Sequence, residues 1–399
     1  MGRGIRLGRI AGIEVMLDWS LLIIFLLISF SLAVALFPVW HPDWGPLVSW
    51  ATALAAAVLF LGSVLLHELS HALVGRQYGM SIKRITLFIF GGMAHMEDEP
   101  RTWRAEFWMA IAGPLMSFAI GFVCLFAAAL LGATAIDPNQ PQAGLAQLGP
   151  LATLLLWLGP INIILAIFNL VPGFPLDGGR VLRALLWGAT GSLHQATRAA
   201  SMVGQMFAWL LIAAGIAMIL GIQVPIFGTG LVGGLWLTLI GWFLNNAALT
   251  SYRQMVVRES LAGVPVSRIM QTEVHTVPVE TNLQRLIDEH LMHTDQRAFP
   301  ITDKGRLRGL VCLDDIRRTS RADWPRLSVT DVMTPLERLT GVGPDTDAAE
   351  ALTLLSSRAV NQLPVIEHGR LIGFLRREDV LRWLSWRYGA DEQGRMFPE

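Results

Sequence analysis

His67, Glu68 and His71 fall within the run His67-Glu68-Leu69-Ser70-His71. Histidines at i and i+4 share one face of a helix, where both imidazoles can bind the same zinc ion. Glu68 beside them can take a proton from an attacking water and return it to a leaving amine. The chemistry that this spacing supports is metal-assisted hydrolysis of a peptide bond, with one catalytic ion per chain. A pair of helix-packing histidines, or a metal site without chemistry, is the plainer alternative. Ionisable groups inside an apolar span are costly and as a rule functional, which favours the catalytic reading. Zinc also needs a third protein ligand, and the stretch that carries the motif does not contain it.

That stretch is residues 49–77, SWATALAAAVLFLGSVLLHELSHALVGRQ, with no charge before Glu68. A bilayer core needs roughly 20 apolar residues as helix, so the motif sits at one end of a membrane span. Composition agrees: 53% of the 399 residues are hydrophobic and 16% charged, where a soluble protein carries about a quarter charged. The net charge of zero gives no case for a nucleic-acid partner. Cys124 and Cys312 lie in a span and in a soluble segment, so no disulfide is expected. The opening MGRGIRLGRIAGIEVMLDWS lacks an apolar h-region and a cleavage site, and no removable signal peptide is expected.

Residues 5–16 read as a strand or hairpin ahead of the membrane. Spans follow at about 19–37, ending at Pro38, then at 49–77, 106–131, 150–170, 201–221 and 228–249. Between the second and third, the strand-like run around 84–96 is broken by Gly91-Gly92 and reads as a hairpin or edge strand near the motif. It either clamps an unwound substrate by strand addition or is purely structural.

Arg3, Arg6 and Arg9 precede the first span, and Arg76, Lys83, Arg84, Arg101 and Arg104 separate the second from the third. Arg180, Arg183 and Arg198 separate the fourth from the fifth, and Arg253 and Arg258 follow the sixth. The loops 38–48 and 132–147, like the third loop on that side, hold no Lys or Arg. The positive-inside rule then puts both termini in the cytoplasm of a multi-pass cell-membrane protein.

The fourth span ends in Asn169-Leu-Val-Pro-Gly-Phe-Pro-Leu-Asp177-Gly-Gly-Arg180, whose prolines and glycines forbid a continuous helix. Irregular backbone at membrane depth survives only inside protein or beside a water-filled cavity. Asp177 falls at the same cytoplasmic depth as His67 and His71, and is the candidate third ligand. Two imidazoles and one carboxylate leave the fourth zinc position open, as catalysis requires. By itself an Asp before Gly-Gly would read as a turn residue. Asn169 is either a polar group ending a helix or a hydrogen-bond donor to a developing oxyanion. His95 and His194 read as ordinary polar residues.

From about 260 strand-like and helix-like runs alternate and the chain repeats itself. VSRIM at 266–270 matches VTDVM at 329–333, and GLVCLDDI at 309–316 matches GFLRREDV at 373–380. Two copies of a small α/β unit, each too small for a generous core, would pack face to face.

HELSH in one span with NLVPGFPLDGG at the end of a later one resembles the site-2 protease family of intramembrane zinc metalloproteases, which pairs H-E-x-x-H with N-x-x-P-x-x-x-x-D-G. FGG at 90–92 and AGP at 112–114 fit the same pattern. The resemblance covers residues 1–250. It implies His67, His71 and Asp177 as zinc ligands, Glu68 as general base and Asn169 as a helper. It also implies a membrane-spanning substrate within the lipid bilayer, such as an anti-sigma factor.

Residues 263–320 and 325–388, after a linker at 251–262, resemble tandem CBS domains. Those bind adenine nucleotides through G-h-h-[ST]-x-x-D, the Asp on the ribose and the hydroxyl on phosphate. Gly309 with Asp315 and Gly373 with Asp379 fit the pattern, but Cys312 and Arg376 stand at the hydroxyl position. Arg376 can pair with phosphate instead. The pair also offers a route to a homodimer.

The expected architecture is a polytopic α-helical membrane protein of about six transmembrane helices with a C-terminal α/β tandem CBS module. Two other functions remain open. A CBS-regulated transporter would spread polar residues over several spans, and a zinc sensor would have no need of Glu68.

Overall fold

The computed structural model describes residues 4–89, 91–96, 100–133, 141–225, 227–294, 296–358 and 360–388, with backbone alone at 93–96, 141–143 and 387–388. It divides into two units, Met1–Met255 and Val256–Glu399.

The first unit opens with strands β1 (Gly4–Ile10) and β2 (Ile13–Asp18), the hairpin expected there. Helix α1 (Ser20–Ser31), a π-helical segment (Leu32–Leu36) and α2 (Phe37–Trp40) form the first span. Pro38 was expected to end this span, yet the helix runs on to Trp40. A proline ring clashes with the carbonyl four residues back. Here that carbonyl belongs to the π segment, outside the regular ladder.

The motif helix α3 (Pro46–Gln77) is the second span, followed by β3 (Ile82–Phe88) and β4 (Gly91–Met96). Then come α4 (Trp103–Leu130), the short α5 (Pro141–Ala146), α6 (Pro150–Asn169), α7 (Asp177–Thr190), α8 (Leu193–Ile219) and α9 (Leu231–Leu261). Among the described residues, six helical segments are long and apolar enough to cross a membrane: Ser20–Trp40, α3, α4, α6, α8 and α9. The helix α7 between spans four and five was not foreseen, and residues 251–261, read as a linker, continue α9.

The sheet has the order β1-β2-β3-β4, and β2 pairs with β3 in parallel. Between those two strands the chain makes the first two spans. Out and back again is what returns it to the same end for pairing. The inner face of the sheet (Ile13, Ile82, Ile85 and Leu87) packs on Leu69 and Ala72 of α3, directly over the motif. Arg76, one turn beyond His71, ties the two together. Its guanidinium donates to the carbonyls of Ala11 (2.6 Å), Gly12 (3.2 Å) and Ile82 (2.7 Å).

In the second unit a four-stranded sheet joins β5 (Val277–Pro278), β6 (Ala298–Asp303), β7 (Arg306–Cys312) and β8 (Thr334–Pro335). A hairpin joins β9 (Gln362–Glu367) and β10 (Arg370–Arg376). Helices α10 (Leu283–Arg285), α11 (Leu313–Arg317) and α12 (Val329–Val332) accompany the former, and α13 (Ala348–Ser357) and α14 (Arg377–Tyr388) the latter.

The two repeats exchange their leading segments. Thr334 of the second pairs with Leu310 of the first, while Gln271 of the first pairs with Phe374 of the second. The cores follow suit: Leu261, Val264 and Val266 pack with Leu363 and Leu375, whereas Val329 packs with Phe299 and Val311. Ala298, Leu310 and Phe374 form the seam between the repeats. Cys124 and Cys312 are both free thiols.

Arg76→Met removes charge-assisted bonds worth about 1–3 kcal/mol. It is expected to lower the detergent melting temperature, while Arg76→Lys, which keeps the charge without the fork, falls between. Thermal unfolding of the three purified proteins measures this.

Candidate metal centre

His67 and His71 face inward near the C-terminal end of α3, and both are buried. Asp177 arrives from α7, whose first residue it is, after the irregular turn 170–176. A carboxylate there also suits the positive end of the helix dipole. The plainer alternative, a turn residue before Gly-Gly, misses that Asp177 opens a helix.

Three atoms converge. Asp177 Oδ2 lies 3.0 Å from His67 Nε2 and 3.2 Å from His71 Nε2, and the two nitrogens are 3.2 Å apart. Ligands at about 2.0–2.1 Å around a tetrahedral zinc are about 3.3 Å from one another. The triangle has the size of one face of that tetrahedron, and the donor set is one that could hold a metal.

The remaining ring nitrogens have partners of their own. His71 Nδ1 lies 2.7 Å from the carbonyl oxygen of Met109, which can only accept, so Nδ1 carries the proton and Nε2 offers its lone pair. His67 Nδ1 lies 2.9 Å from Ser117 Oγ, a hydroxyl that can donate or accept, so this contact orients the ring without choosing its tautomer. Both partners come from α4. Met109, Gly113 and Ser117 follow one another at four-residue spacing on a single face of that helix, and Gly113 sits opposite the imidazoles. A Cβ on Gly113 would fall 2.2 Å from His71 Nε2 and 2.6 Å from His67 Nε2. A side chain there would crowd both imidazoles. The residues present fit zinc.

Glu68 is half-buried and next to β4. A Cβ on Gly92 would come within 2.2 Å of Glu68 Cγ and 2.8 Å of Oε1, so the strand backbone lies against the carboxylate. Asn169 is the last residue of α6 and half-buried; its amide bonds to none of His67, Glu68, His71 or Asp177. His194 is in the first turn of α8. The side chains of Phe90 and His95 lie outside the described residues.

Met109 and Ser117 are absent from the sequence reading, and Gly113 entered it only through AGP. The available signal was the spacing of small residues Gly113, Ser117 and Gly121, which marks a close helix face in a span.

In the second unit, Asp315 and Asp379 play the same local part. Asp315 Oδ2 accepts the Cys312 N–H (2.9 Å), closing the first turn of α11. Asp379 Oδ2 accepts the Arg376 N–H (3.1 Å) at the start of α14. The Arg376 guanidinium also turns back onto Asp379, at 3.0 and 2.8 Å.

Residues 55–213 match peptidase family M50, and residues 266–321 and 329–385 each match the CBS domain. The chain is 35% identical over 391 residues, 96% of its own length and 94% of the relative's, to a Mycobacterium tuberculosis protein named "Putative zinc metalloprotease Rip3". It belongs to peptidase family M50. A Synechocystis relative named "Putative zinc metalloprotease sll0528" is 33% identical across 96% of both chains. Among solved structures, the site-2 protease from Methanocaldococcus jannaschii has a TM-score of 0.41 at 30% identity, covering 63% of this chain and 95% of that one. This M50 chain is a zinc metalloprotease with membrane-spanning helices and a tandem CBS module.

Gly113→Ala is expected to abolish stoichiometric zinc, because its methyl would push both imidazoles out of place. Ser117→Ala, which only frees the His67 ring, should weaken retention about 10–100-fold. Metal content after equilibration with graded chelator distinguishes the two.

Proposed function

We propose that this M50 peptidase hydrolyses a peptide bond within or next to a transmembrane segment of a membrane-anchored regulatory protein, an anti-sigma factor being one such class. The observation that carries the reading is the convergence of His67, His71 and Asp177 with Glu68 one residue away. In this reading the first three hold zinc and Glu68 is the base. Zinc, when bound, lowers the pKa of water and polarises the scissile carbonyl. Glu68 takes the proton of the attacking water and passes it to the amide nitrogen as the bond breaks. Asn169 donates to the oxygen on which negative charge develops, once substrate draws the end of α6 inward.

Edge strand β4 supplies the substrate path. It pairs with β3 alone among the named strands of its sheet, and its Gly92 lies against Glu68. A transmembrane helix must unwind to expose a carbonyl, and the unwound segment can add to β4 as a further strand. The backbone is irregular over 170–176, and at membrane depth such backbone suits the wet surroundings that hydrolysis needs. With the basic loops inward, the site opens to the cytoplasm and both termini lie there, in the cell membrane.

The CBS pair regulates rather than catalyses, and it is a candidate homodimer contact. Its nucleotide sites are imperfect in two different ways. Burial, with Asp315 and Asp314 alongside, pushes the Cys312 thiol up to about 11, so at neutral pH it is an uncharged, weak donor. In the other copy Arg376 occupies the carboxylate that a ribose would use.

Glu68→Gln is expected to keep zinc and lose hydrolysis by about 10²–10⁴-fold. Gly92→Ala should behave likewise by displacing that carboxylate. His67→Ala and Asp177→Ala should lose metal and activity together. Zinc content and cleavage of a model membrane substrate, measured side by side in detergent, decide it. Full activity of Glu68→Gln sinks the protease mechanism.

Calorimetry of the whole protein with AMP, ADP and ATP is expected to give weak binding or a single site. Cys312→Ser, which restores a hydroxyl, should tighten it several-fold. Two equivalent tight sites in the unaltered protein would overturn this account.

A further inference from the structure

Glu106 is fully buried near the start of α4, and Arg183 meets it from α7. Glu106 Oε1 accepts from Arg183 Nε at 2.6 Å and also from Nη2. The guanidinium stands over the ring of Phe174, 5.2 Å from its centroid, in the turn that leads into Asp177. Neither residue touches the metal ligands.

The spacing along the two helices links the pair to the metal centre. On α4, Glu106 precedes Gly113 by seven residues, about 10.5 Å at 1.5 Å per residue. On α7, Arg183 follows Asp177 by six residues, about 9 Å. The two helices therefore run oppositely and meet twice at nearly equal separations. One meeting is the ion pair, and the other is Asp177 facing the imidazoles that α4 orients. Glu106 lies three, seven and eleven residues before Met109, Gly113 and Ser117, on the α4 face that serves both histidines.

We propose that the Glu106–Arg183 pair is a positioning device: it sets the register of α7 on α4 and thereby holds Asp177 at the distance from His67 and His71 that zinc demands. This rests on the reading of those three residues as the zinc ligands. Stability alone is a poor explanation. Buried ion pairs are commonly replaced by apolar residues with little loss of stability, because desolvation offsets the attraction. What an apolar pair cannot supply is a fixed point of contact, which two guanidinium N–H groups converging on Glu106 Oε1 do, while the buried Oε2 takes no partner among the described residues. Phe174 below the guanidinium extends the constraint to the turn before Asp177.

The test compares zinc release to a chelator from purified protein in detergent, for the unaltered chain, Arg183→Met, Glu106→Gln and the double variant Glu106→Leu/Arg183→Met. Size exclusion and thermal melting establish that each is folded. The variants are expected to lose zinc about tenfold faster or more, on the scale of the 10–100-fold affinity losses known when a zinc ligand's own partners are removed. Arg183→Lys, which keeps the charge but not the fork, should fall between. Thr153→Val, an equally buried change near the opposite end of α6, should release zinc as the unaltered protein does.

The double variant leaves no unpaired charge, so it and Arg183→Lys give the answer if a single variant does not fold. Folded variants that hold zinc as tightly as the unaltered protein would overturn the inference and leave the metal assignment standing. An unaltered protein that binds no zinc would overturn both.

Discussion

Two imidazole lone pairs and a carboxylate oxygen pointed at one spot, all within 3.0–3.2 Å, repel one another unless a cation sits among them. Inside a helix bundle there is little water to screen that repulsion. Every neighbouring element answers to it. Helix α4 donates no ligand, yet its Met109 carbonyl sets which ring nitrogen of His71 carries a proton, and its Ser117 hydroxyl orients the His67 ring. Gly113 keeps the middle of the cradle open. A residue with any side chain there would close it.

The same constraint explains why the backbone is irregular where it is. Asp177 belongs to a helix, but it can reach the imidazoles only if the chain first leaves α6 and turns, over 170–176, at the depth of the motif. Backbone polar groups released by such a turn must be satisfied by protein or water. Hydrolysis inside a bilayer needs water in any case, so one feature meets both demands. The sheet is placed by related means. Arg76 pins its first turn and its third strand to the end of the motif helix, which brings β4 and its Gly92 against Glu68.

The second unit obeys a different rule. Each repeat is small, and each completes its core with the leading segment of the other. The repeats thus fold as one body although the sequence writes them as two. A ligand at either would have to prefer one arrangement of that body to influence anything beyond it. The contact of Arg376 with Asp379 is the sort of internal occupant that a nucleotide must displace.

Residue order alone determined the chemistry and most of the architecture. HELSH in an apolar run points to a metal, a base and a membrane. The broken end of the fourth span offers Asp177 as the candidate third ligand once depth is considered, and the repeat after 260 declares the second unit. These are legible because membrane spans and metal motifs are local in sequence.

The rest was decided in three dimensions. That the first span passes through Pro38 depends on a π segment preceding it. That Ser117, Met109 and Gly113 serve the histidines depends on which face of α4 meets α3. That Arg183, which counts in sequence as a topogenic charge, lies buried on Glu106 depends on α7, a helix too short to stand out between two spans, and on how it packs against α4. Each is a relation between residues tens of positions apart, set by packing, and packing between distant helices leaves no short-range pattern in a chain to be read.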